Sequence, residues 1–213
     1  MRQHRTRVKI CGVTCASDAQ AAVAAGADAV GVVLADGPRS VSIDEALAAL
    51  EVVPPFVGRV GVFVDAPLDE VRDAASRLRL SAVQLHGDED PGYCREVGVS
   101  VIKAFKVGTG FAFPAIEPFR GSVAAVLLDT LVTGKDGGTG ITFPWQSITD
   151  VPGWATLVIA GGLTPVNVGA AMNAMRPFGV DVSSGVEERP RHKDREKLRA
   201  FVAAVRAADE AAS

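Results

Sequence analysis

A cysteine directly follows one short β-branched run, Cys11 in VKICG, and an aspartate closes another, Asp129 in VLLDT. A thiol and a carboxyl can divide a proton transfer between them, the thiolate taking a proton and the protonated carboxyl giving one. That division needs a carboxyl that keeps its proton near neutral pH, which partial burial favours, and a thiol in a positive field. Arg39 in GPRSV offers a two-pronged fork for a substrate carboxylate, and His86 in QLHG a hydrogen bond or a stacking face. Two small-residue turns, AGGLT and DVSSGVE, supply Gly161, Gly162, Ser183, Ser184 and Gly185. Backbone N–H groups in such turns cradle anions, so phosphate is the expected ligand. Each residue also has a plainer use. Cysteine is commonly a buried apolar filler, a strand-end aspartate can cap a helix, a loop arginine can be solvated, and glycines serve tight turns.

The elements that position these residues alternate along the chain. Strands are expected at 8–11, 29–34, 57–64, 82–85, 101–105, 124–128, 157–160 and 180–182. Helices are expected from a cap at Ser17 to Gly26, and over 42–50, 68–78, a short piece at Pro91, 164–175, and from Asp194 onward. The last has an apolar face of Leu198, Phe201, Val202 and Val205. The stretch 106–121 is rich in Gly, Pro and Phe and reads as irregular. A glycine-rich loop, 133–140, follows the sixth strand. Eight strand–helix units of roughly 27 residues, with strands apolar on both faces, predict an α/β, single-domain (β/α)8 TIM barrel over 1–213. The leading tail is expected at 1–7 and the trailing tail at 208–213. A doubly wound open sheet is the alternative, but the first strand lacks a GxGxxG turn.

In such a barrel, chemistry collects at the C-terminal ends of the strands. Those ends carry Cys11, Arg39, Asp65, His86, Lys103, Asp129, Gly161-Gly162 and Ser183-Ser184-Gly185, a ring expected to converge on one pocket. The two small-residue turns follow strands 7 and 8, the recurrent phosphate position.

Composition excludes several classes. With 22 Lys and Arg against 25 Asp and Glu, the net charge is −3. No basic excess marks nucleic acid as the partner. No apolar run approaches the roughly 20 residues of a membrane span, and no apolar signal core follows the basic start. Three cysteines suggest no disulfide framework, and His4, His86 and His192 lie too far apart in sequence to suggest a metal cluster. The expected setting is cytoplasmic, as monomer or homodimer, with a phosphorylated small molecule as partner and no metal.

VKICGVT, GPRSV, VGVFVD, VQLHGDE, VIKAF, LLDT, GGTGITFPW, IAGGLTPVNV and VDVSSGVE occur in this order. Together they resemble the phosphoribosylanthranilate isomerase family, from Val8 to about Arg206. The resemblance implies a cofactor-free Amadori rearrangement in tryptophan biosynthesis. It implies Cys11 as general base, Asp129 as general acid, Arg39 at the anthranilate end and His86 lining the same pocket. Gly161, Gly162, Ser183, Ser184 and Gly185 match the phosphate turns, with Asp181 in the strand before the last. Lys9 matches a lysine beside the base, but alternation is taken to set it on the other side of its strand, away from Cys11. Two other readings stand beside this one. They are a related sugar isomerase of the histidine-biosynthesis type, usually built on two aspartates, and a catalytically silent paralogue that binds a phosphorylated metabolite. The chain departs from the family pattern in three places: GPR stands for the commoner SPR, Ile141 and Pro144 in GITFPW stand where Lys and Asp are frequent, and the segment Glu188-Arg189-Pro190-Arg191-His192 replaces small residues after the phosphate turn. The last of these is charged. It reads either as a solvated basic rim or as an arginine reaching over the phosphate.

Overall fold

Strands that are apolar on both faces must be covered on both faces, and this requirement organises the chain. The structure is a computed structural model describing residues 5–108, 113–130 and 151–212. Its strands are β1 (Arg7–Ile10), β2 (Ala29–Val33), β3 (Gly58–Phe63), β4 (Ala82–Leu85), β5 (Ser100–Val107), β6 (Ala125–Thr130), β7 (Leu157–Ala160) and β8 (Gly179–Val182). Each pairs in parallel with the next, and β1 pairs with β8, closing the barrel. The expected (β/α)8 architecture is therefore observed. The glycine-rich loop 133–140 and the residues Ile141 and Pro144 lie outside the described residues.

The connecting helices are α1 (Ala16–Ala25), α2 (Ile43–Leu50), α3 (Leu68–Arg77), α4 (Pro91–Glu96), α5 (Val168–Met175) and α6 (Arg195–Ala211). The helix at 43–50 starts as expected, with a complete capping box. The Ser42 side chain accepts from the Glu45 N–H, and the Glu45 carboxylate accepts from the Ser42 N–H. Helix α1 differs from expectation. Cys15, not Ser17, is its N-cap, and no side chain caps it. Gly26 ends it in the left-handed region at φ 99°. The irregular stretch after β5 holds two 3₁₀ turns, Phe113–Ala115 and Glu117–Phe119. Beyond β8 there is a feature the sequence did not suggest, a hairpin of β9 (Glu187–Arg189) and β10 (His192–Lys193).

Both tails are shorter than expected. Arg7 is already in β1, and α6 runs to Ala211. The two ends hold each other: Thr6 donates its N–H (3.0 Å) and its hydroxyl (2.5 Å) to Asp209, and Arg206 donates to the Thr6 carbonyl at 2.7 Å. None of the described helices is long and apolar enough to cross a membrane.

Alternation along the strands sorts two cores. The large one lies between sheet and helices and contains Val8, Ile10, Val30, Val32, Val83, Leu85, Val126, Leu128, Ile159 and Val180. The small one, Ala104, Leu127 and Ala160 with Ile102 and Val158, lies inside the barrel. Residues opposite in register share a face, so Asp129, which pairs with Ala160, also faces inward. Lys9, paired with Asp181, and Gln84, paired with Ile102, do likewise. The barrel interior is thus small and polar at the end where the site lies.

Helix α6 seals the outer core with Leu198, Phe201, Val202 and Val205, all buried. Its N-cap Asp194 accepts from the N–H groups of Glu196 and Lys197. Phe201 is fully buried. Phe201→Ala should lower the unfolding free energy by roughly 3–5 kcal/mol in a urea titration.

Candidate active site

Cys11 immediately follows β1, and its N–H donates to the Val182 carbonyl at 2.8 Å, which fixes it against β8. Gly12 comes next, at φ 70°. A Cβ there would lie 2.5 Å from Arg39 Cδ and 2.8 Å from Ser183 Oγ. Glycine is therefore required, because it lets Arg39 from the β2 loop and Ser183 from the β8 turn close over the strand end beside the thiol.

Lys9 corrects the expectation drawn from alternation. Residues two apart on a strand share a face, so Lys9 and Cys11 point the same way. A Cβ on the neighbouring Gly31 would meet Cys11 Sγ at 3.1 Å and Lys9 Nζ at 3.2 Å, which puts ammonium and sulfur together. Lys9 Nζ donates to Asp181 Oδ2 at 2.8 Å, with both residues buried. Burial opposes the lysine's charge, but Asp181 and Cys11 outweigh it and raise its pKa. The Cys11 thiol is pushed above its ordinary value, chiefly by burial and also by Asp181, against the lowering pull of Lys9 and Lys193. The positive field expected around the thiol is present, and desolvation outweighs it. Asp181 Oδ1 has no hydrogen-bond partner among the described residues. A buried, unpaired carboxylate oxygen at the mouth is an acceptor ready for a ligand donor.

Across the barrel, Asp129 lies within β6 rather than after it, with its Oδ2 3.2 Å from His86 Nε2. His86 Nδ1 is 3.4 Å from Gln84 Nε2, so Gln84, His86 and Asp129 form a chain. A cavity of about 350 Å³ lies to the β4–β5 side of His86, lined also by Asp65, Asp88, Glu89, Lys103 and Phe105; Cys11, Asp129 and the glycine turns are not part of its lining. Two members of the expected ring do other work. Lys103, paired with Leu85, faces outward, where its ammonium donates to the Gly87 carbonyl at 2.6 Å and to Glu89 at 3.1 Å. Asp65 accepts the Asp88 N–H at 2.6 Å. Both hold the β3 and β4 loops in shape.

The two glycine turns meet. Gly161 and Gly162 both have positive φ, at 86° and 62°. A Cβ on Gly185 would lie 1.8 Å from the Leu163 carbonyl oxygen. The turns after β7 and β8 therefore form one continuous backbone surface of the kind that binds anions. Helix α5 does not begin at Thr164 as expected. It begins at Val168, because the Asn167 side chain folds back instead, accepting the Thr164 N–H at 2.7 Å and donating to the Gly162 carbonyl at 2.9 Å.

Arg39 is less free than a loop arginine. Its Nε and one terminal nitrogen donate to the two Glu187 oxygens at 2.7 and 2.6 Å. One edge of the guanidinium is occupied and the end edge remains for a ligand. In the unusual charged segment Arg189 is exposed, and Arg191 donates to the Ser40 carbonyl at 2.6 Å. Arg191 is thus tied to the Arg39 loop rather than reaching over the phosphate turns. Sequence reasoning passed over Gln84, Glu187 and Lys193. The available signal was a polar residue inside an apolar run, as in VQL. Among the described residues no cluster of His, Cys, Asp and Glu suits a metal ion.

A closed (β/α)8 barrel with a thiol, a carboxyl, an arginine fork and adjoining glycine turns at one mouth is the architecture of a barrel enzyme for a small anionic metabolite. Residues 8–204 match the family model of N-(5'-phosphoribosyl)anthranilate isomerase. A protein of that name from Geotalea daltonii is 46% identical over 198 residues, covering 92% of this chain and 95% of the relative. The crystal structure of phosphoribosyl anthranilate isomerase from Thermotoga maritima superposes with a TM-score of 0.88 at 41% identity, over 95% of this chain and 99% of that one. A second structure of such an isomerase, in complex with reduced 1-(o-carboxyphenylamino)-1-deoxyribulose 5-phosphate, gives 0.84 at 39% identity over the same shares. The chain belongs to the N-(5'-phosphoribosyl)anthranilate isomerase family.

Two expectations follow for the site. Gly185→Ala has no room, so it must displace the Leu163 turn; steady-state kinetics should show a raised KM for a phosphorylated substrate. Activity carried by the Cys11 thiolate should climb with pH to above the ordinary thiol value of about 8.5, since the protonated form dominates below the raised pKa. Lys9→Met removes a lowering charge and should move that rising limb higher in a pH–rate profile.

Proposed function

We propose that this chain converts N-(5-phosphoribosyl)anthranilate to 1-(2-carboxyphenylamino)-1-deoxyribulose 5-phosphate, an isomerisation in tryptophan biosynthesis. The observation that carries this reading is the inward placement of Cys11 and Asp129 at one barrel mouth, each beside a basic side chain, Lys9 and His86. The Cys–Asp pair, where the histidine-biosynthesis type would use two aspartates, supports this reading over that one.

Asp129 donates a proton to the furanose ring oxygen as the C1–O bond breaks, and the nitrogen lone pair forms the Schiff base. The His86 contact at 3.2 Å holds the Asp129 carboxyl in a fixed orientation at the mouth. The Cys11 thiolate removes the C2 proton, and the electrons move through C1 to nitrogen to give an enolamine. Tautomerisation yields the 2-ketone. One proton is given and one taken, and no redox step or cofactor enters. Lys9 steadies the thiolate as it forms, and its partner Asp181 has a free oxygen for a substrate donor. Gly161, Gly162, Ser183, Ser184 and Gly185 hold the phosphate, and the open end of Arg39 takes the anthranilate carboxylate. The protein acts on this phosphorylated small molecule as monomer or homodimer in the cytoplasm, with no nucleic-acid partner.

Cys11→Ala and Asp129→Asn should each lower kcat at least 10²-fold, since a positioned acid or base is worth roughly 10²–10⁴. Loss of substrate fluorescence measures it. Retention of more than about a tenth of the wild-type rate by either variant would overturn the acid–base assignment.

A further inference from the structure

The hairpin after the phosphate turn joins both ends of the site. Glu187 opens it, almost wholly buried, and grips Arg39 with both oxygens. Lys193 closes it. Its ammonium donates to Glu187 Oε1 at 3.0 Å and to the Ser183 carbonyl at 3.1 Å, inside the phosphate turn. The Lys193 N–H donates to Asp18 at 3.0 Å, and Lys197 donates to the Glu187 carbonyl at 2.8 Å. At the tip, Arg191 (φ 73°) binds the Ser40 carbonyl, while its own carbonyl accepts the Thr14 hydroxyl at 2.9 Å. Apart from the Lys193–Glu187 pair inside the hairpin and the Lys197 contact from α6, these contacts run from the hairpin to the loops carrying Arg39 and Ser183 and to the segment after Cys11.

A buried carboxylate is costly unless its oxygens are paired. Here each Glu187 oxygen has a charged donor, and the arrangement leaves only the end edge of Arg39 free. Arg39 is some 150 residues from Glu187 in sequence, and without this partner its guanidinium would sample many rotamers at the end of a loop. Fixing a fork before the ligand arrives removes ordering cost from binding.

We propose that Glu187 is a positioning residue for substrate recognition: with Lys193 it locks Arg39 at a set distance from the phosphate turn, so that the phosphate and carboxylate ends of one substrate are held together. This rests on Arg39 taking the substrate carboxylate. The charged hairpin is then the device that spaces the two anion sites, not a solvated rim.

The test measures kcat and KM for phosphoribosylanthranilate with Glu187→Gln, Arg39→Ala and the double variant. Glu187→Gln should raise KM about tenfold while kcat stays within about threefold, the pattern of lost binding common to ground and transition states. A merely structural glutamate would lower the melting temperature and the active fraction, leaving KM unmoved. Placed on Arg39→Ala, Glu187→Gln should change KM less than about twofold. If Glu187→Gln does not fold, Glu187→Asp keeps the charge for Lys193 but is one methylene short of the fork, and it should show the same rise in KM. An unchanged KM in the Glu187 variants with a raised KM in Arg39→Ala overturns the positioning role alone. An unchanged KM in Arg39→Ala overturns the carboxylate reading and the positioning role together. Fully additive KM effects in the double variant also overturn the positioning role.

Discussion

The site depends on the pairing of β1 with β8 that sets Lys9 beside Asp181 inside a closed barrel. Two opposite charges buried in a low-dielectric interior tolerate little displacement, because separation leaves each without its partner. The parallel ladder of β1 and β8 closes the barrel and sets Lys9 opposite Asp181, so the buried pair depends on that register. The Cys11 thiol beside Lys9 inherits its surroundings from this pair. It is a buried sulfur with a cation on one side and a carboxylate just beyond, and the balance leaves it holding its proton more firmly than a free thiol does.

The same geometry explains why the interior is filled largely by small and polar side chains. Gly31, Ala104 and Ala160 take little room, and Gln84, Lys9 and Asp181 contribute polar ends. Bulk is placed outside, where Leu85, Leu128, Ile159 and Phe201 bury their surface against helices. Hydrophobic stabilisation therefore comes mainly from the sheet–helix layer, which leaves the inner face available for chemistry. Loop order is kept by charged groups pointing outward or into turns. Lys103 with Glu89 does this after β4, and Asn167 does it after β7.

Burial pulls against the base role proposed for Cys11. Excluding water strengthens each electrostatic contact but disfavours the thiolate. Lys9 and Lys193 offset part of that cost. The glycine turns after β7 and β8 avoid the conflict, since backbone N–H groups carry no charge to desolvate and suit an anion without titrating.

Much of this was legible in the residue order. Eight β-branched runs separated by alanine-rich amphipathic stretches leave few folds besides a closed parallel barrel. In a barrel, strand ends become the site, which made Cys11, Asp129, His86 and the glycine turns visible one by one. Local patterns suffice there because alternation and capping act over a few residues. What required tertiary structure was every relation between distant segments. Lys9 meets Asp181 across 172 positions, Arg39 meets Glu187 across 148, and Gly185 touches Leu163 through backbone alone. The hairpin at 187–193 was hidden for the same reason, since it is held by bonds to the loops of Arg39, Ser40 and Thr14. The start of α5 at Val168 was hidden differently: Asn167 bonds within its own turn, to Thr164 and Gly162, a side-chain competition that helix propensity does not record. Periodicity carries which face a residue presents, and only barrel closure decides which residue it meets there.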